Sequence, residues 1–111
     1  MSYEPVLRAT TPEARERALS EASDAPLAIA RASAEAADLA ALVLAESKPA
    51  LKGDAAAGVL LAEAATRAAA RLVEINLRGQ PNDPRLEEVA RLSQGAAAAR
   101  ERAIGEAETE A

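Results

Sequence analysis

The sequence predicts an all-α fold: an antiparallel bundle of three long helices, the first kinked, that associates with at least one more chain. Three observations carry this. Apolar residues recur at three- and four-residue spacing over long stretches, and no run alternates apolar with polar positions as a strand would. Proline directly follows a capping residue at Thr11-Pro12 and again at Asp83-Pro84, the place where a helix tolerates its missing N–H. Hydrophobic residues form 50% of the chain, yet most of them are alanine, with one Tyr and no Phe or Trp. A buried methyl contributes about 0.8 kcal/mol against about 1.5 to 3 for Val, Leu or Ile, so three such helices alone have a thin core. A homodimer or higher homo-oligomer, with alanine faces in close approach, is therefore expected.

Taken in order, residues 1–10 show no helical period and read as an extended arm with Val6 and Leu7 as anchors. Residues 11–111 read as a single helical domain. Its first helix starts at Thr11-Pro12-Glu13, with a capping hydroxyl, a proline in the first turn and an acid near the positive end of the dipole, and runs to about Glu46. Pro26 falls inside it. Helical spacing persists on both sides of that proline, from Ser20 to Ala22 and from Leu27 to Ile29, which predicts a kink at the lost backbone bond. Residues Ser47 to Gly53 read as a connection.

The second helix reads from Gly53-Asp54 to Gly79, with Asp54 as a candidate cap and Gly79 as the stop. At about 100° per residue, Asp54, Gly58, Leu61, Ala65, Ala68, Leu72 and Asn76 share one stripe, the expected buried face. Glu63, Arg67, Arg71, Glu74 and Arg78 gather opposite, as the expected exposed one. After the turn Gln80-Pro81-Asn82-Asp83-Pro84, a third helix carries the stripe Leu86, Val89, Leu92 or Ser93, Ala96, Ala99 and Ala103. Gly95 and Gly105 weaken it by up to about 1 kcal/mol each, and the acidic residues after Gly105 are expected to fray.

Several functions are excluded by composition. The chain has no cysteine and no histidine, which removes disulfide and thiolate chemistry and the commonest zinc ligands, so no metal and no cofactor is expected. A net charge of −5 with interspersed signs argues against nucleic acid, which attracts a basic stripe. Asp38, Glu46, Glu63 and Arg67 interrupt the apolar runs before the roughly 20 residues a membrane span needs. Nothing reads as a signal peptide, so a cytoplasmic location is expected. Neither a phosphate-cradling glycine loop nor a nucleophile elbow is present.

Two segments carry a resemblance. Ala22-Ser23-Asp24-Ala25-Pro26-Leu27, followed by G-D-A-A-A-G-V-L-L-A-E-A-A-T-R-A-A-A-R-L-V-E-I-N-L from Gly53 to Leu77, resembles the C-terminal half of the cyclodeaminase/cyclohydrolase family of folate one-carbon enzymes. That family includes formiminotransferase-cyclodeaminase and methenyltetrahydrofolate cyclohydrolase. Its pattern is an A-x-x-x-P-L helix and then S-D-x-x-x-A-x-L-L-A-E-A-A-x-R-G-A-x-x-N-V-x-I-N-L. Asp54, Leu60 to Ala65, Arg67 and Ile75-Asn76-Leu77 coincide with it. Ala68 stands where the family has glycine and Leu72 where it has its first asparagine, and the family's Gly-rich T-P-G-G-G-S segment has no counterpart in these 111 residues.

The resemblance implies ring closure of a folate formimino group with loss of ammonia, or hydrolysis of the resulting bridge, with a folate as substrate. Such chemistry needs a group to protonate the leaving amine and one to manage the attacking nitrogen's proton, and only carboxylates, Lys, Tyr3 or water could serve here. Asp54 matches the family aspartate and is the catalytic candidate, with a helix cap as the alternative. Asn76 matches the family asparagine and could bond a pterin-like edge or a neighbouring backbone. Arg67 and Arg71, joined by Arg78, could hold the anionic glutamate tail of a folate or simply form ion pairs, Glu63 standing four residues before Arg67. Glu35 and Asp38 could line a pocket or lie on the surface. Asp54 and Asn76 would lie about 33 Å apart on one helix, so they serve different sites or meet across an intersubunit cleft. A non-catalytic helical assembly module is the rival reading.

Overall fold

In the computed structural model, which describes residues 4–8 and 10–109, all regular structure is helical. The helices are α1 (Glu4–Arg8), α2 (Pro12–Ala22), α3 (Asp24–Glu46), α4 (Pro49–Asn76) and α5 (Pro84–Thr109). The last three form the bundle, and α3 and α4 are its most extensively packed pair. The arm is not wholly extended, because Glu4–Arg8 forms a short helix. Tyr3 and the side chain of Leu7 lie outside the described residues.

Thr11 caps α2 as its sequence implies, its Oγ1 accepting from the Ala14 amide at 3.1 Å. The long first helix is α2 and α3 joined with a bend, which falls at Ser23, three residues before Pro26. This is where the proline acts, since it lacks an N–H for the Ala22 carbonyl and its ring crowds that group. Ser23 stays in helical conformation, and its amide bonds Ser20 O at 3.2 Å. Its hydroxyl donates to Leu19 O at 2.9 Å and replaces the backbone donor there.

The α3–α4 connection is shorter than the sequence suggests. Residues Pro49 to Gly53 are helical, so Ser47 and Lys48 alone make the turn, and Pro49 takes the first helical position. Gly53 therefore lies inside α4, and Asp54 sits in its second turn, where it caps nothing. At the other end the chain leaves through a turn closed by Gln80 N to Leu77 O at 2.8 Å. Gly79 has no left-handed conformation, and its small size matters instead because a Cβ there would collide with the Glu16 carboxylate.

Two apolar clusters form the core. One joins Leu27, Ala30, Ala69, Ala70, Val73, Leu77 and Val89 near the α2 end, and the other joins Ala37, Ala41, Leu44, Val59, Ala96, Ala99 and Ala103. Between them a hydroxyl pair, Ser33 Oγ and Thr66 Oγ1 at 2.7 Å, bridges α3 to α4. The stripe expected on α5 is the buried one, with Val89, Ala96, Ala99 and Ala103 at most 1% exposed. Helix α5 continues to Thr109, past the expected fray.

On α4 the expected face is turned outward except at Asn76, which is buried as expected. Leu61 and Leu72 are 73% and 47% exposed, while Val59, Glu63, Thr66, Ala69 and Val73 point inward. Alanine on nearly every side of α4 leaves two apolar arcs, and the arc bearing Val59, Thr66 and Val73 is the one that meets α3 and α5.

Candidate functional site

The polar arc of α4 lies beside α5. Glu63, buried rather than exposed, accepts from Arg67 Nε at 3.1 Å and stands 3.7 Å from Arg100 Nε of α5, which ties the two helices together. One turn further along, α4 and α5 bound an open groove of about 620 Å³ lined by Arg67, Arg71 and Glu74 of α4 and by Ser93 of α5. Its floor is apolar, formed by Ala68, Ala70 and Val89 among others. Arg67 and Arg71 are exposed and four residues apart, so both guanidinium forks reach the same side of the helix. Two planar donors above an apolar floor suit an anionic group attached to a flat or aliphatic body. Glu74 adds a carboxylate beside them.

The other sequence candidates lie elsewhere. Asn76 is 5% exposed and borders a second, more apolar cavity of about 460 Å³, shared with Pro12, Arg15, Glu16, Leu19, Ile75, Arg78 and Gly79. No buried side-chain polar atom among the described residues lacks a hydrogen-bond partner, so Asn76 is integrated in the fold. Asp54 is exposed near the opposite end of α4, about 20 Å from Arg67 along the helix. Glu35 and Asp38 are exposed on α3, and Asp38 faces Arg102 at 3.6 Å. The structure thus brings Arg67 and Arg71 together and leaves Asp54 and Asn76 apart. Glu74 and Ser93 were not singled out from sequence, although Glu74 falls on the same polar arc three residues after Arg71.

Shifted acidities mark the seams of the bundle. A side-chain hydrogen bond from Arg85, reinforced by the Arg85 amide, holds the Asp83 carboxyl below its ordinary range. Arg85 also donates to Ser20 O and Ser20 Oγ and pairs with Asp24, so it clasps the α2–α3 bend to the start of α5. Arg31 grips Glu88 through two bonds of 2.6 and 2.8 Å and lowers that carboxyl likewise.

A family model described as formiminotransferase-cyclodeaminase matches residues 5–94. The chain belongs to this family. The matched stretch runs from α1 into the first half of α5 and contains Asp54, Arg67, Arg71, Asn76 and the groove as far as Ser93. No curated protein and no solved structure matches this cyclodeaminase-family chain. Among its described residues, no helix is long and apolar enough to cross a membrane.

Proposed function

We propose that the chain is a cyclodeaminase-like enzyme that acts on a small folate-like one-carbon substrate at an intersubunit cleft, by ring closure with ammonia loss or by hydrolysis. The observation that carries this reading is the convergence of Arg67 and Arg71 on one open groove inside the family-matched stretch. The two arginines receive the anionic tail, and the apolar floor supports the body of the ligand. Asp54 supplies or takes the proton. Because Asp54 is remote from the groove of its own chain, the carboxylate at each groove comes from another copy. In ring closure, the neighbouring nitrogen attacks the formimino carbon and gives up its proton, and the amine then leaves as ammonia once protonated.

The remoteness of Asp54 is also what favours the rival reading, a non-catalytic helical subunit that keeps the scaffold. Ammonia release from a formimino-folate, measured at matched oligomeric state, separates the two. The enzyme reading expects turnover by the wild-type chain, a KM raised about tenfold or more by Arg71→Gln, and kcat lowered roughly 10²-fold by Asp54→Asn. Asp54 is exposed and caps nothing, so its substitution should leave stability within about 0.5 kcal/mol. Absence of both binding and turnover would establish the scaffold reading.

A further inference from the structure

The groove between α4 and α5 carries charge of both signs, and the signs are separated along it. Seven residues lie between one end of its α4 rim, Arg67, and the other, Glu74, so that rim runs for about 10 Å, with guanidinium groups at Arg67 and Arg71 and a carboxylate at Glu74. These three groups differ in how they are already bonded. Arg67 donates its Nε to Glu63 at 3.1 Å, which steers the side chain and leaves the terminal nitrogens of its fork to a ligand. Arg71 and Glu74 are exposed and have no hydrogen bond or ion pair among the described residues. They stand three residues apart, near enough to pair on a helix surface, but in the basic-before-acidic order that pairs less well.

The facing wall adds a free hydroxyl. Ser23, Ser33, Ser47 and Thr66 each donate to the carbonyl four residues earlier, at 2.6 to 2.9 Å. Ser93 of α5 makes no such bond among the described residues, so its hydroxyl stays at the rim, above the apolar Leu86 and Val89.

We propose that Glu74 is the specificity-determining residue of this groove: it accepts from an amidine- or guanidine-like N–H edge at the head of the ligand, while Arg67 and Arg71 hold the anionic tail. The ligand then lies along the groove with its head toward the C-terminal end of α4. This deepens the functional reading above and rests on the groove being the substrate site. The selection is one of charge. A planar N–C–N unit presents two parallel N–H donors to a carboxylate, and the bonds are strengthened when the unit is cationic. A ligand without such donors displaces water from Glu74 and returns nothing, and one with a second anion at that end is repelled. The formimino group of the proposed substrate is itself an N–C–N unit.

Calorimetry with two small probes tests this without any folate. In para-guanidinomethylbenzoate a carboxylate and a guanidinium sit at opposite ends of a flat ring; para-propylbenzoate has a similar shape and no N–H edge. Wild type should bind the first about tenfold more tightly. Glu74→Gln, at an exposed position and checked for native helicity by circular dichroism, should remove most of that preference and leave para-propylbenzoate binding unchanged. Arg71→Gln should weaken both probes alike. A preference that survives Glu74→Gln, or a wild type that binds both probes equally or neither, would overturn the proposal. Folinate tests the functional reading separately. Failure of folinate to bind, with the guanidinium preference intact, would remove the folate assignment and leave the role of Glu74 standing. Folinate binding that is weakened by Arg71→Gln and untouched by Glu74→Gln would keep the folate reading and overturn that role.

Discussion

Leu61 and Glu63 stand two residues apart on α4 and exchange the roles that charge and hydropathy suggest for them. Glu63 lies between Arg67 and Arg100 with its side chain 9% exposed. Glu63→Ala removes the carboxylate that links Arg67 to Arg100 at the α4–α5 seam, and because both guanidinium groups stay hydrated, at 74% and 43% exposed, it should cost about 1 kcal/mol, read by urea denaturation. Glu63→Gln keeps the shape and should cost less. Leu44 and Leu77 are fully buried, and truncating either to alanine should cost about 2 to 5 kcal/mol. A Glu63→Ala effect indistinguishable from that of an exposed glutamate would mean the seam contributes nothing.

The joints between helices depend on a few polar contacts because alanine offers little specificity. At mid-bundle the Ser33–Thr66 hydroxyl pair fixes the register of α3 against α4. A double-mutant cycle with Ser33→Ala and Thr66→Val should return a coupling of about 0.5 to 1.5 kcal/mol, and additive effects would show that the hydroxyls act independently. At the bend, Arg85 joins α2, α3 and α5, and its pairing with Asp83 has a pH signature. Asp83 and Glu88 titrate below their ordinary range in the folded chain. Such groups stabilise fully above their unfolded pKa, and the contribution fades as pH falls through the folded value. Stability should therefore hold down to about pH 5 and decline below about pH 4. The double variant Asp83→Asn/Glu88→Gln should show a shallower acid decline, measured by melting temperature against pH.

The whole molecule is a slender rod, 57 × 24 × 16 Å in its principal extents, with one side of its α3–α4 layer left apolar. Most of its buried hydrophobic residues are alanine, so the single chain has little stability to spare. If a second copy covers the open side, folding is linked to association, and the melting temperature should rise with protein concentration across about 1 to 100 µM. A concentration-independent melting point would place all of the stability within one chain.

The sequence by itself determined the all-helical class, the starts at Thr11-Pro12 and Asp83-Pro84, the bend that Pro26 imposes one turn before it, the buried stripe of α5 and the family. These are local matters: a capping oxygen, a missing N–H and a single apolar stripe act within one or two turns. It also placed Arg67 and Arg71 correctly on one side of α4, because a four-residue spacing is a property of the helix alone. The inward face of α4 is different in kind. Where alanine fills both arcs, helical period finds two apolar stripes and cannot rank them, and only the fit of Val59, Thr66 and Val73 against α3 and α5 decides which turns inward. The start of α4 at Pro49 is a local matter as well, a proline at the first helical position followed by the exposed residues Ala50 and Leu51, and it takes Asp54 away from the cap. The groove beside Arg67 and Arg71 is likewise completed by Leu86, Val89, Ala90 and Ser93 of α5, a long-range neighbourhood that no spacing within either helix encodes.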